Sequence, residues 1–154
     1  MGLTAFSRDV LERLLSRFRD EESRSRAMVA LASIELKEGF YESAGKWAGE
    51  ALATTASPVN PSARGARELL GDSAFKRNDF NGAERHYSVL ATMSGSPENQ
   101  ARVLRKHGDS LRMLGRYPQA IMQYERAIRI GDENTALKGK NAQTQSFKGI
   151  AECY

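Results

Sequence analysis

The sequence predicts an all-α protein in which helical hairpins repeat along the chain. The first observation is a fixed pattern of small, glycine-type and aromatic residues that occurs three times around Ala44, Ala83 and Ala120. The second is its period, which is 39 residues from Ala44 to Ala83 and 37 from Ala83 to Ala120. The third is that apolar residues between the linkers follow helical spacing. A period of this length is typical of stacked helical repeats.

Each copy of the pattern describes two helices joined by a tight turn. Five residues before each alanine lies a residue that tolerates positive φ, as a helix that stops in a left-handed turn requires, namely Gly39, Asn78 and Gly115. An aromatic residue follows two positions later and starts the second helix. A small residue twelve positions before each alanine lets the two helices approach closely, and these residues are Ala32, Gly71 and Gly108.

The elements follow in order as one domain over residues 1–154. An amphipathic N-terminal helix is expected at 4–19, repeat 1 at 26–54, repeat 2 at 63–93 and repeat 3 at 98–130. The linkers 54–63 and 94–99 are rich in Pro, Ser and Asn, and Ser96-Pro97 predicts an N-cap followed by proline at the first helical position. Beyond the polar loop 131–142, the first helix of a fourth repeat is expected at 142–154.

The fourth repeat is incomplete in this sequence. Phe147, Ile150, Ala151 and Tyr154 align with the first helix of the earlier hairpins, and Ala151 lies 43 residues after Gly108. A single repeat cannot bury its apolar face alone. We therefore expect either that the sequence is a piece of a longer protein, which we favour, or that a partner covers this end.

These patterns resemble the tetratricopeptide (TPR) family. The segments LLGDSAFKRNDFNGAERHY and KHGDSLRMLGRYPQAIMQYERAI match its pattern best, whereas ALASIELKEGFYESAGKWAGEAL has Ala48 where an aromatic residue is expected. The resemblance implies a right-handed α-solenoid of about three and a half hairpins plus the N-terminal helix. It also implies a binding groove lined by the first helix of each repeat.

Composition and motifs favour a binding protein over an enzyme. The formal charge is +4, with 23 Lys+Arg against 19 Asp+Glu, and such a mixed surface does not predict nucleic-acid binding. The single cysteine, Cys153, excludes a disulfide within the chain and favours a reducing compartment. His86 and His107 lie in different repeats, and His107 is expected to be packed. No metal-ligand spacing, phosphate loop or long apolar run occurs, so we expect no enzyme activity, no cofactor, no metal and no membrane partner.

The TPR resemblance assigns a candidate groove that binds a protein partner or peptide. Arg105 and Arg112 are seven residues apart and therefore share a helix face. The sharper hypothesis is a basic floor that holds an acidic peptide, and the alternative is a solvated face. A carboxylate clamp of the chaperone-binding type is disfavoured, because Val29, Glu68 and Asp72 occupy clamp positions. The predicted groove residues are Lys37, Asp72, Lys76, Arg102, Arg105, Asp109, Arg112 and Lys148.

Residues Val89 to Tyr154 are similar to a narrower family, the N-terminal domain of the seventh subunit of the anaphase-promoting complex. Three segments carry this resemblance beyond what TPRs demand: Thr92-Met93-Ser94, Asp109-Ser110-Leu111 and Ala151-Glu152-Cys153-Tyr154. It implies a non-catalytic scaffold subunit of a cell-cycle ubiquitin ligase, found in the nucleus and cytoplasm. It also implies a homodimer formed through the N-terminal region, with Leu14, Leu15, Phe18 and Trp47 as contacts.

Two other functions stay open at this point. One is a monomeric adaptor that captures an acidic peptide in the basic groove. The other is a TPR arm attached to an enzyme whose catalytic domain lies past Tyr154.

Overall fold

A computed structural model describes residues 9–10, 12–13, 15–55, 60–93, 95–134 and 141–154, with only the backbone described at 141–143. All regular secondary structure in these ranges is helical, which confirms the all-α prediction. Residues 9, 10, 12, 13 and 15 are helical, and Leu14 lies outside the described residues. Seven helices follow: α1 (Glu21–Glu38), α2 (Tyr41–Thr54), α3 (Pro61–Lys76), α4 (Phe80–Thr92), α5 (Pro97–Met113), α6 (Tyr117–Glu133) and α7 (Asn141–Ala151).

The three turns within the predicted hairpins are left-handed, as the sequence predicts. The backbone φ is +87° at Gly39, +63° at Asn78 and +72° at Gly115. In each turn the next residue donates its N–H to a carbonyl five residues back. These bonds are Phe40 to Glu35 at 2.8 Å, Asp79 to Ala74 at 2.9 Å and Arg116 to Leu111 at 2.9 Å. This hydrogen bond is the one that closes a Schellman motif, so each first helix ends for the same physical reason.

Three helices begin at a side-chain cap. Asp20 accepts from the N–H of Ser23, Asn60 from that of Ser62, and Ser96 from that of Asn99. Proline follows directly after Asn60 and Ser96, where a missing N–H costs no helical hydrogen bond. The prediction for Ser96 and Pro97 is therefore confirmed. The Asp20 cap starts α1 at Glu21, whereas the sequence placed the start of repeat 1 at residue 26.

We expect Gly115→Ala to lower the free energy of unfolding by about 1 kcal/mol, because an L side chain at positive φ is strained. The matched control is Gly49→Ala, within α2, where an added Cβ meets nothing within 4 Å. The control should raise stability by about 0.5–1 kcal/mol through helix propensity. Urea unfolding of both variants checks the pair, and a stabilising Gly115→Ala would contradict the left-handed turn.

The chain forms two compact units, Met1–Asp79 and Phe80–Tyr154, and the two helices of the second repeat fall in different units. In the first unit α1, α2 and α3 pack on one another. Its core contains a cluster of Met28, Ala51 and Ala66. Ser25 donates to the Ala51 carbonyl at 3.2 Å, and Ser73 donates to the Tyr41 carbonyl. Both bonds join neighbouring helices and satisfy buried hydroxyls.

In the second unit α5 packs on α4, α6 and α7, and α6 packs on α7. A core cluster of Leu111, Ala120 and Tyr124 is extended by the half-buried Ile150 and Cys153. The small residues that the sequence pattern identified are buried in both units: Ala32, Ala44, Gly71, Ala83, Gly108 and Ala120. This confirms that the pattern marks positions where helices pack closely.

Candidate protein-interaction surface

Three charged residues of α5 share one helix face. Arg105, Asp109 and Arg112 are four and three residues apart, so their side chains lie along one side of the helix. The structure brings them together with Tyr124 on α6 and with Lys148 and Glu152 at the C-terminal end of the chain. We call these six residues the polar network: Arg105, Asp109, Arg112, Tyr124, Lys148 and Glu152.

Asp109 is the centre of the polar network. Its Oδ2 lies 2.7 Å from Nη1 of Arg105, and its Oδ1 accepts a 2.9 Å hydrogen bond from the Tyr124 hydroxyl. Burial raises the pKa of Tyr124, and the charge of Asp109 raises it further. The phenol therefore stays protonated and keeps its donor role.

Arg112 connects α5 to the segment that follows α7. Its Nη2 lies 3.2 Å from Oε2 of Glu152, and Lys148 Nζ lies 3.8 Å from Oε1 of the same carboxylate. Burial alone would lower the pKa of Arg112, but Tyr124, Glu152 and Asp109 raise it on balance. The guanidinium thus holds its charge in a half-buried position, where a pair is worth more than on the open surface.

The ring of Tyr124 lies between two glycines from different helices. Tyr124 is fully buried. A Cβ added at Gly108 on α5 would lie 2.6 Å from the ring, and one added at Gly149 on α7 would lie 2.5 Å from it. Both distances are far inside van der Waals contact, so only glycine fits at either position without movement. The ring and its hydroxyl therefore set the spacing of α5, α6 and α7.

The ion pairs of Arg105 and Arg112 occupy the cations of the predicted basic floor. The polar network contains three cations, Arg105, Arg112 and Lys148, and two carboxylates, Asp109 and Glu152, so positive charge remains in excess. Arg105 and Arg112 are nevertheless bound to those carboxylates, and Arg102 donates to Asn99 at 2.9 Å. An acidic ligand would have to compete with these contacts.

The remaining predicted groove residues lie in the first unit. Lys37 and Lys76 are exposed in the last turns of α1 and α3. A cation at this end of a helix interacts favourably with the helix dipole. Asp72 is half-buried on α3. The structure thus joins Arg105, Asp109, Arg112 and Lys148 into one cluster, and it places Lys37, Asp72 and Lys76 in a separate unit.

Two of the four predicted dimer contacts pack within the chain. Leu15 and Trp47 pack against the cluster of Met28, Ala51 and Ala66. Phe18 is half-buried, and Leu14 lies outside the described residues. The apolar surfaces of Leu15 and Trp47 therefore already contribute to the core of the first unit.

His107 is buried beside Glu84, as expected for a packed histidine. Its Nε2 lies 3.1 Å from Oε1 of Glu84, and the side chain is 10% exposed. Nδ1 has no hydrogen-bond partner among the residues that the structure describes. An ionised carboxylate can only accept a hydrogen bond, so the neutral ring donates from Nε2, and Nδ1 carries no proton.

Burial lowers the pKa of His107, with Glu84 opposing this shift and Arg126 adding to it. Because the folded pKa lies below the unfolded value of about 6.5, acid favours the unfolded chain. We expect stability to fall as the pH drops from about 7.5 to about 5.5. His107→Gln should remove this loss, and His86→Gln should keep it. Thermal unfolding across this range tests the pair, and an unchanged pH profile in His107→Gln would contradict the assignment.

Sequence reasoning missed the role of the Tyr124 hydroxyl and the pairing of Arg112 with Glu152. Tyr124 is fully buried, and its hydroxyl reaches Asp109. The available signal was Asp109 on the facing helix, one residue after the small Gly108. The Arg112–Glu152 pair joins residues far apart in sequence, and no local spacing indicates it.

Among the described residues, none of the helices has the length and apolar character needed to cross a membrane. The same residues contain no group of three or more His, Cys, Asp or Glu side chains that could hold a metal ion.

The chain has the fold of a TPR-like repeat protein. It is similar to the solved structure of a kinesin light chain-like protein of Podosopora anserina with nearly identical TPR-like repeats. That match has a TM-score of 0.79 and 16% identity, and it covers 99% of this chain and 78% of the other. A single-substitution variant of the same protein matches with a TM-score of 0.81 and the same coverage. No family model and no curated protein matches the chain.

Proposed function

We propose that this protein is a non-catalytic scaffold that binds other protein subunits, most concretely as a TPR subunit of the anaphase-promoting complex in the nucleus and cytoplasm. The proposal begins from the fold, because stacked helical hairpins present extended surfaces to other proteins. A fold alone does not identify the partner.

The observation that carries the finer proposal is the position of the residues behind the resemblance. Asp109 and Glu152 are not demanded by a TPR, yet both belong to the polar network. From the same two segments, Leu111 lies in the core cluster with Tyr124, and Cys153 packs against that cluster. These segments therefore act together to join α5, α6 and α7. This supports a likeness that extends over the three helices rather than a chance match of short strings.

Affinity purification of the tagged chain from cell extract, read by mass spectrometry, tests this proposal. We expect subunits of the anaphase-promoting complex to co-purify above a tag-only control. Recovery of an unrelated complex, or of no stable partner, would contradict the finer assignment.

The predicted homodimer is tested separately by sedimentation equilibrium. The proposal expects a species of twice the chain mass of 17.1 kDa. A monomer at micromolar concentration would remove the dimer from the proposal without affecting the fold.

The alternative, a monomeric adaptor for an acidic peptide, is favoured by one observation, the excess of cations around the polar network. If the adaptor function holds, Arg105→Glu with Arg112→Glu should weaken binding of a labelled acidic peptide at least about tenfold. The matched control reverses two exposed arginines on second helices, Arg85→Glu with Arg129→Glu. Circular dichroism of each double variant shows whether it is folded. Equal affinity in folded samples of both variants would exclude the adaptor.

A further inference from the structure

A histidine occupies a packing position of α5 that holds leucine in the other two repeats. His107 takes the place in the repeat pattern that Leu31 has on α1 and Leu70 on α3. Leu31 is fully buried, and His107 is 8% exposed. Packing at this position therefore does not require a titratable ring, and the histidine adds a property that a leucine lacks.

The ring of His107 lies in the contact between α4 and α5, with one nitrogen paired and the other unpaired. Nε2 lies 3.1 Å from Oε1 of Glu84 on α4. Nδ1 is buried and has no hydrogen-bond partner within the described ranges. Protonation would place a second N–H donor there without an acceptor, and a buried donor left unsatisfied is costly.

Charged groups of α4 and α6 face the same ring. Glu84 attracts a protonated His107, and Arg126 on α6 repels it. Lys106, the neighbour of His107 on α5, has its Nζ 5.9 Å from the centre of the buried Tyr87 ring of α4. Burial outweighs the attraction of Glu84, so the pKa of His107 lies below its ordinary value.

Helix α7 and the charged residues near it lie on a different side of α5 from His107. Arg112, which pairs with Glu152 just past α7, is five residues from His107 and therefore about 140° away around the helix. The helices α5, α6 and α7 meet around Tyr124, and the core cluster there contains no described residue of α4. The contact between α4 and α5 is thus separate from the contacts that join α5, α6 and α7.

We propose that the contact between α4 and α5 is a pH-sensitive switch, which opens locally when His107 takes up a proton while α5, α6 and α7 stay packed around Tyr124. In the open state the ring reaches water, which supplies the acceptor that Nδ1 lacks when it is buried. The open ring has the ordinary pKa of about 6.5, and the closed ring has a lower one. Opening therefore increases as the pH falls below about 6.5. The inference does not depend on the proposed function, because it concerns contacts within the second unit alone.

Thiol labelling of the full chain tests the switch. The probe is Ala91→Cys in a Cys153→Ala background, because Ala91 is 9% exposed and lies seven residues after Glu84, on the same face of α4. Its reaction rate with 4,4′-dithiodipyridine is divided by that of an unstructured peptide with the same flanking residues at the same pH. This ratio gives the open fraction, which we expect to rise by up to about tenfold for each pH unit between about 6.5 and the lower pKa of the closed state.

A second probe distinguishes local opening from unfolding. Ala127→Cys on α6, at a position that is 2% exposed, should react only through unfolding, so its labelling should increase steeply with urea. Labelling of the Ala91→Cys probe at low urea should depend much less on urea, because a local opening exposes little surface. Equal urea dependence of the two probes would show that the contact opens only by unfolding, and the proposal would be wrong.

Two substitutions of His107 in the probe background test the role of the ring. His107→Gln and His107→Leu, the second with the residue type of the other repeats, should both abolish the pH dependence of the open fraction. The control His86→Gln should keep it, because His86 is two residues from Glu84 and points about 160° away from it around α4. Circular dichroism shows which variants are folded. An unchanged pH dependence in either folded His107 variant, or its loss in His86→Gln, would overturn the proposal.

Discussion

Tyr124→Ala is expected to lower the free energy of unfolding by about 3–5 kcal/mol, the range for removing a large buried aromatic side chain. The ring is fully buried between α5, α6 and α7, and its loss would leave a cavity next to Gly108 and Gly149. Neither glycine has a side chain that could fill it. The Asp109 carboxylate would also lose the hydrogen bond from the phenol. Urea unfolding measured by circular dichroism gives the change directly.

Two further substitutions separate the contributions of Tyr124. Tyr124→Phe keeps the ring and removes the hydroxyl, so it should cost about 1–2 kcal/mol. Tyr117→Ala, at a tyrosine that is 45% exposed at the start of α6, should cost less than about 1 kcal/mol. If Tyr124→Ala were no more destabilising than Tyr117→Ala, the ring would not join the three helices.

Gly108→Ala and Gly149→Ala are each expected to destabilise the protein by about 1–3 kcal/mol, the usual cost of overpacking. The direction of the stability change makes these substitutions informative, because alanine in a helix interior is otherwise favoured over glycine by about 1 kcal/mol. An added Cβ at either position would lie within 2.9 Å of three atoms of the Tyr124 ring. The overlap therefore outweighs the gain in helix propensity.

The control for both substitutions is Gly49→Ala, a helical glycine where an added Cβ meets no atom within 4 Å and which should stabilise. Combining Gly108→Ala with Tyr124→Ala tests the cause. In the absence of the ring the added methyl group has nothing to overlap, so Gly108→Ala should cost little in the double variant. Additive costs would show that the destabilisation does not arise from contact with Tyr124.

Much of the fold could be predicted because it depends on local chemistry. The positive φ at Gly39, Asn78 and Gly115 could be predicted because few other residue types tolerate this conformation. The burial of Ala44, Ala83 and Ala120 could be predicted because closely packed helices require small residues where they touch. The start of the first repeat was predicted less accurately. Asp20 caps α1 through the N–H of Ser23, but this cap precedes the first apolar residues of the repeat and was missed.

The candidate site could be predicted only in part. Helical spacing placed Arg105 and Arg112 on one face, and the structure shows Asp109 between them, bound to Arg105. The pairing of Arg105 with Asp109 has an i,i+4 spacing that the sequence contains. The pairing of Arg112 could not be predicted, because its partner Glu152 comes from a different helical repeat. The basic floor inferred from sequence is therefore a paired network. Trp47, a predicted dimer contact, also packs within the first unit, and the local pattern did not indicate this contact.

The central claim is that the chain is an array of helical hairpins whose first helices stop in left-handed turns. Backbone NMR assignment of the isotope-labelled protein tests it directly, because chemical shifts and scalar couplings report φ at each residue. The account predicts helical values up to Glu38, Lys76 and Met113, and positive φ at Gly39, Asn78 and Gly115. Continuous helical values through any of these three turns, or extended values within the flanking helices, would contradict it.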